Sequence, residues 1–212
     1  MNGATSSSYT FTPTVIGTTT VYCEITNIAG TVRSRTATLT ASQFYLYNSG
    51  DPKTSITGGW SAYAYSHLSG EDRKAPILTM NATNMSIAFR SAGEGSSSSS
   101  ITWRRGSVWT NNPINLTNVS TITVRIDGLD FPAGGVNSEY KPYCYFMATK
   151  TKQDSYTPAS SVTITGKGGE VSAAAGTYSI DVSGLSGNYY LLFANHNTYK
   201  TTTLYVSQVL CQ

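Results

Sequence analysis

Apolar residues recur along this chain at every second position over short stretches, and no window of a dozen residues carries them at the three-and-four spacing of a helix. Gly, Pro and Asn interrupt every few residues, punctuation that suits strands and turns. The pattern predicts an all-β protein. In TTVYCEIT, Val21, Cys23 and Ile25 alternate with Thr20, Tyr22 and Glu24, sending the two sets to opposite faces of a strand. TNIAGT then turns the chain, Val32 to Thr40 alternates again, and Tyr9 to Phe11 adds a third short strand. From Gln43 onward the predicted strands are FYLYN, WSAYAYS, ILTM, MSIAFR, SITW, STITVRI, YCYFMAT, SVTIT, GTYSIDV, NYYLLFAN and TLYVSQVLC. Clusters of Gly, Asn and Ser separate them, and GEGSSSSS over 93–100 is a loop. Many short strands with no helix between them indicate a sandwich or a barrel.

A chain of 212 residues with 39% hydrophobic residues can build a real core in one large or two small domains. Charged residues make up 12%, so hydroxyls, amides and the 15 tyrosines must cover much of the surface, a composition that fits extracellular or particle-borne β-proteins. The net charge is +3 and the basic residues are scattered, Arg104 and Arg105 being the adjacent arginine pair. No nucleic-acid footprint follows from that. No apolar run reaches the roughly 20 residues of a membrane span, so membrane insertion is not expected. The opening MNGATSSSYTF has neither the basic nor the apolar region of a secretory signal.

Residues 4–42 resemble the last three strands of bacterial and phage immunoglobulin-like domains of the BIG type, on a Cys in the penultimate strand, an N-x-x-G turn and a closing TATLT strand. The pattern departs at Val21, where a tyrosine corner would stand, and no earlier strand offers Cys23 a partner. Such a domain takes about 100 residues. The resemblance therefore implies a partial domain over 1–42, completed by further sequence of a longer chain, by the second domain or by another subunit.

Residues 43–212 form a second unit. INLTNVSTITVRID, then GTYSIDVSGLSGNYYLLFANH followed by TTTLYVSQVLC, is similar to the closing half of galactose-binding-like jelly rolls and carbohydrate-binding modules. FYLYNSGDPKTSITGGW resembles modules that follow immunoglobulin-like repeats in tail and surface proteins of phages and prophages of gut Firmicutes. The expected architecture is thus a partial immunoglobulin-like sandwich followed by a jelly-roll β-sandwich.

Catalytic chemistry has little to stand on. His67 and His196 are the two histidines, and neither lies in a nucleophile or metalloprotease motif. His67 sits in a polar turn beside the charged cluster Glu71 to Lys74. A triad assembled in space stays open, as does calcium ligation at Asp127 and Asp130, where Asp-Gly-Leu-Asp reads as a turn after a strand. No phosphate loop or dinucleotide fingerprint occurs. Neither cofactor nor metal is expected, nor enzymatic activity. Cys23, Cys144 and Cys211 each sit in an apolar run and read as buried small hydrophobes, a Cys144–Cys211 bridge staying open.

Aromatic rings are the remaining signal, because a flat ring stacks on the apolar face of a sugar with few rotors to freeze. Ring and polar candidates in or near loops are Trp103, Arg104 and Trp109, then Tyr140 and Tyr143, then His196 and Tyr199. Trp60 reads as core, and Tyr189 and Tyr190 must face opposite ways. The expectation is a non-catalytic adhesion module on a phage particle, as a tail or head fibre, or on a bacterial surface, with a cell-surface glycan or receptor as partner. A structural decoration or oligomerisation module of a virion is the alternative, and a polysaccharide hydrolase ranks below both.

Overall fold

The computed structural model describes residues 5–50, 59–63, 75–89, 106–130, 143–152, 159–165, 175–196 and 202–212. Every regular element among them is a strand, as the alternation predicts. No helix of the described residues is long and apolar enough to cross a membrane.

Twelve strands form two facing six-stranded sheets. The back sheet runs β14 (Gly176–Asp181), β11 (Thr121–Asp130), β16 (Thr202–Cys211), β8 (Met85–Phe89), β7 (Ile77–Met80), and β5 (Phe44–Asn48) also pairs with β16. The front sheet runs β13 (Ser160–Thr165), β12 (Tyr143–Thr149), β15 (Asn188–His196), β9 (Ser107–Thr110), β6 (Trp60–Tyr63), with β10 (Ile114–Asn115) on β15. All these pairings are antiparallel, and the chain passes repeatedly from one sheet to the other in the manner of a jelly roll. The long β15 and β16 lie at the sheet centres, each holding two short strands end to end along one edge.

Inward residues of both sheets make one core that includes Leu46, Ile87, Phe89, Ile122, Val124, Phe146, Leu191, Phe193 and Val206, all fully buried. Phe193 stands at its centre, with ring centroids 4.8 Å from Phe146 and 5.6 Å from Trp60. Burying a side chain of this size stabilises by roughly 1.5–3 kcal/mol, so the central rows carry much of the sandwich. Trp60 is core, as its position after the glycines predicts.

Residues 17–41 differ from the expected three strands. β1 (Gly17–Val21) pairs with β4 (Ala37–Ala41), and β2 (Glu24–Asn27) pairs with β3 (Gly30–Arg33), so the segment is a single hairpin interrupted once. At the interruption Ser34 N–H donates to the Cys23 carbonyl at 2.8 Å and Cys23 N–H to Ser34 Oγ at 2.9 Å. Tyr9–Phe11 is not a strand. Cys23 falls between β1 and β2 and is exposed, because its neighbours pair with each other and leave its side chain nothing to pack against.

Cys144 and Cys211 are buried in the common core as free thiols on opposite sheets. That settles the open alternative in favour of small hydrophobes. Asp127 to Asp130 is not a turn: β11 continues through it against β16, whose ten residues supply pairing partners to the end. SITW over 100–103 lies outside the described residues. Two short strands, β9 and β10, were hidden by their Gly, Asn and Pro neighbours.

Candidate functional site

The outward face of the front sheet is apolar. Along β12, Cys144, Phe146 and Ala148 point into the core, which by alternation sends Tyr145, Met147 and Thr149 outward. On β15, Tyr189, Leu191 and Phe193 point in and Tyr190, Leu192 and Ala194 point out; on β9, Val108 points in and Trp109 out. Pairing aligns these outward residues in rows: Trp109 beside Leu192 beside Met147, then Ser107 beside Ala194 beside Tyr145. Trp109, Met147, Leu192 and Ala194 form a second buried cluster, with Tyr145 and Tyr190 half-buried at its margin. A sheet with one solvated face alternates apolar with polar; Leu191-Leu192-Phe193 shows no such alternation.

Polar groups close one end of this face. Trp109 Nε1 donates to Ser107 Oγ, and its ring meets the Tyr190 ring nearly edge-on at 76° and 6.4 Å. Lys152 Nζ stands 4.9 Å from the Tyr190 ring centroid and donates to the Asn111 carbonyl at 3.3 Å. Lys152 is exposed, and partial desolvation lowers its pKa from the ordinary value. Lys150 serves the other side of the strand: its Nζ lies 3.9 Å over Tyr189, a core ring, and donates to the Ser186 carbonyl at 3.2 Å. Gly187 lets the chain turn there with φ +83°, and a Cβ on it would meet Lys150 Nζ at 3.8 Å. Tyr189 and Tyr190 therefore do face opposite ways, each under its own ammonium.

Of the seven residues expected to bind ligand, Trp109 lies within β9 and not in a loop, and at 1% exposed it is the floor of the face. Tyr143 and His196 are register partners at the far end of the same two central strands. Trp103, Arg104, Tyr140 and Tyr199 lie outside the described residues, as does His67. Sequence reasoning missed Tyr145, Tyr190 and Lys152 as site residues. Their signal was the doubly apolar β12 and β15, which announced that the outward face was not ordinary surface.

Among the described residues no three His, Cys, Asp or Glu side chains come together as a metal site would require. Asp127 accepts from Ser207 and Asp130 from Tyr205, both at 2.7 Å, on the other sheet.

No protein-family model matches the chain, and no curated protein matches it. Several solved structures resemble it at low identity, among them three carbohydrate-binding modules or domains. A family 11 carbohydrate-binding module from Clostridium thermocellum, in complex with a β-1,3-1,4-mixed-linked tetrasaccharide, has a TM-score of 0.43 at 11% identity, covering 80% of this chain and 94% of that one. The second N-terminal cellulose-binding domain of Cellulomonas fimi β-1,4-glucanase C gives 0.41 at 14% identity, covering 81% and 96%. A third, from work on promiscuous carbohydrate-binding modules of the β-sandwich superfamily, gives 0.42 at 13% identity, covering 92% and 74%. At these TM-scores the ligands in their names carry nothing over, and the β-sandwich stands on the strand pairing itself.

Proposed function

We propose that this protein is a non-catalytic binding module that holds an extended glycan along the outward face of the front sheet. The observation that carries the reading is the pair of half-buried rings, Tyr145 and Tyr190, held at the margin of the outward but buried cluster of Trp109, Leu192, Met147 and Ala194. Half-buried tyrosines present ring area with a polar tip, the surface a pyranose takes. Trp109 meets Tyr190 edge-on and so holds it in place.

The wider reading is display on a phage tail or head fibre or on a bacterial surface, with recognition of a cell-surface glycan as the task. The uncharged polar composition supports it. A structural or oligomerisation role is favoured by a different observation: among the described residues β2 and β3 pair only with each other, leaving Ile25 and Val32 exposed at 68% and 74%. Free strand edges of this kind accept further strands, from an immunoglobulin-like unit over 1–42 completed by other sequence or from another subunit.

A glycan array probed with the full chain tests the binding reading. Binding to at least one polysaccharide is expected, reduced about tenfold by Tyr190→Ala or Tyr145→Ala with the melting temperature little changed. No binding to any glycan overturns it. Mass measurement in solution separates the alternative, since an obligate oligomer that binds no glycan supports the structural role.

A further inference from the structure

We infer that the glycan is acidic, with one of its negative groups taken by Lys152 at the Tyr190 end of the face. The inference rests on the glycan-binding reading and names its ligand class.

Charge is divided between the two sheets. The strands of the front sheet, WSAY, SVWT, IN, YCYFMAT, SSVTIT and NYYLLFANH, contain no Asp or Glu. Asp127, Asp130 and Asp181 all belong to the back sheet. A ligand carrying negative charge along the front face therefore meets no carboxylate from the strands beneath it. A neutral ligand would gain nothing from that exclusion.

Lys152 is a held cation. Its ammonium has three hydrogens, and among the described residues it donates to the Asn111 carbonyl at 3.3 Å. The ring of Tyr190 lies beneath it at 4.9 Å. The ion pair found among the described residues, Arg33 with Glu24 at 2.6 Å, is in the hairpin and does not involve Lys152. Lys152 is exposed, so an anion can reach it, and the partial desolvation that lowers its pKa is a cost that an anion would offset. A carboxylate or sulfate on a sugar stacked at Tyr190 can reach this ammonium beside the Asn111 contact, since an ammonium carries three donor hydrogens. Lys, as a compact charge, does not select among those anions by shape.

Lys150 supplies the internal control. It is two residues away and equally cationic, yet it lies over the core ring of Tyr189 on the other side of β15. Removing either lysine changes net charge by the same amount, but only Lys152 adjoins the proposed ligand path.

The test uses the full chain on an array of matched pairs: uronate-, sialate- and sulfate-bearing glycans, each beside its neutral counterpart. Acidic members are expected to bind at least tenfold more tightly, with the preference shrinking as salt rises. Lys152→Gln should abolish most of that preference, Lys152→Arg should keep it, and Lys150→Gln should keep it. Equal binding of neutral and acidic partners, or equal loss in the two Gln variants, overturns the inference while leaving glycan binding intact. Failure to bind any glycan removes both readings together. Melting temperatures of the variants distinguish lost binding from lost folding.

Discussion

Ser207 and Asp127 are the two residues left over where β11 meets β16, and the Ser207 hydroxyl donates to Asp127 Oδ1 at 2.7 Å. Between the pairs Arg125 with Gln208 and Ile126 with Val206, Ser207 is surplus; between Ile126 with Val206 and Gly128 with Tyr205, Asp127 is. Each bulge shifts the register by one residue, and the second cancels the first. The inward side of both strands is thereby preserved, with Ile126 and Val206 buried at 1% and 0% exposure. The bulge also aims the Ser207 carbonyl at Ser49 N–H, 2.9 Å away, at the end of β5. Ser207→Ala removes the link between the two surplus residues and is expected to lower unfolding free energy by about 1 kcal/mol. Urea denaturation at neutral pH measures it, and an unchanged midpoint would mean the bulges hold their register through the backbone alone.

Trp109 and Tyr190 touch, but their variants should separate stability from binding. Trp109 is 1% exposed among Met147, Leu192 and Ala194, so Trp109→Ala opens a cavity and is expected to cost about 3–5 kcal/mol. Tyr190 is half-buried at the margin, so Tyr190→Ala should act mainly on glycan affinity. Thermal melts beside affinity electrophoresis on the array-selected glycan check the contrast. Comparable destabilisation by both would make the face a second core without a ligand role.

The alternation rule read most of the sandwich correctly because β11, β15 and β16 are long enough for apolar residues to repeat without interruption. It failed where other chemistry carries the same letters. Asp127-Gly128 has the composition of a turn, yet pairing with the long β16 keeps it extended. In the hairpin, Val21, Cys23 and Ile25 alternate as a buried face would, but no second layer among the described residues covers them and Ile25 stays exposed at 68%. Trp109 read as a loop residue because Gly106, Asn111 and Asn112 bracket only four strand residues, and its neighbours in space, Leu192 and Met147, are distant in sequence. The site suffered most from this, since it is made by rows across strands and no local motif announces a row.

Thiol chemistry offers a check on the core that needs no substitution. Burial pushes the Cys144 and Cys211 thiols far up from their ordinary pKa, whereas Cys23 is exposed between β1 and β2. A thiolate is the reacting species. Titration of the native protein with a chromogenic disulfide at pH 8 should therefore modify Cys23 quickly and the other two only after denaturant is added. Rapid modification of all three would mean that the sandwich opens readily.

The hairpin poses the opposite question, whether it shares the stability of the sandwich at all. Ile25 and Val32 are register partners on β2 and β3, exposed at 68% and 74%, and Ile28 in the turn between them is exposed completely. The salt bridge from Arg33 to Glu24 is solvent-exposed too, and pairs of that kind contribute little. An isolated two-stranded hairpin is marginal in water. By contrast, Ile16 just before β1 packs against the common core, so the tether to the sandwich is firmer than the arm beyond it. Ile25→Ser is accordingly expected to change unfolding free energy by no more than about 0.5 kcal/mol, while Ile87→Ala in β8 costs about 2–5 kcal/mol. Amide exchange should agree, with β2 and β3 exchanging through local opening and β15 and β16 only through global unfolding. If Ile25→Ser instead destabilised the protein as much as Ile87→Ala, or if β2 and β3 were protected like β16, a further strand or a second copy would have to cover the arm in solution.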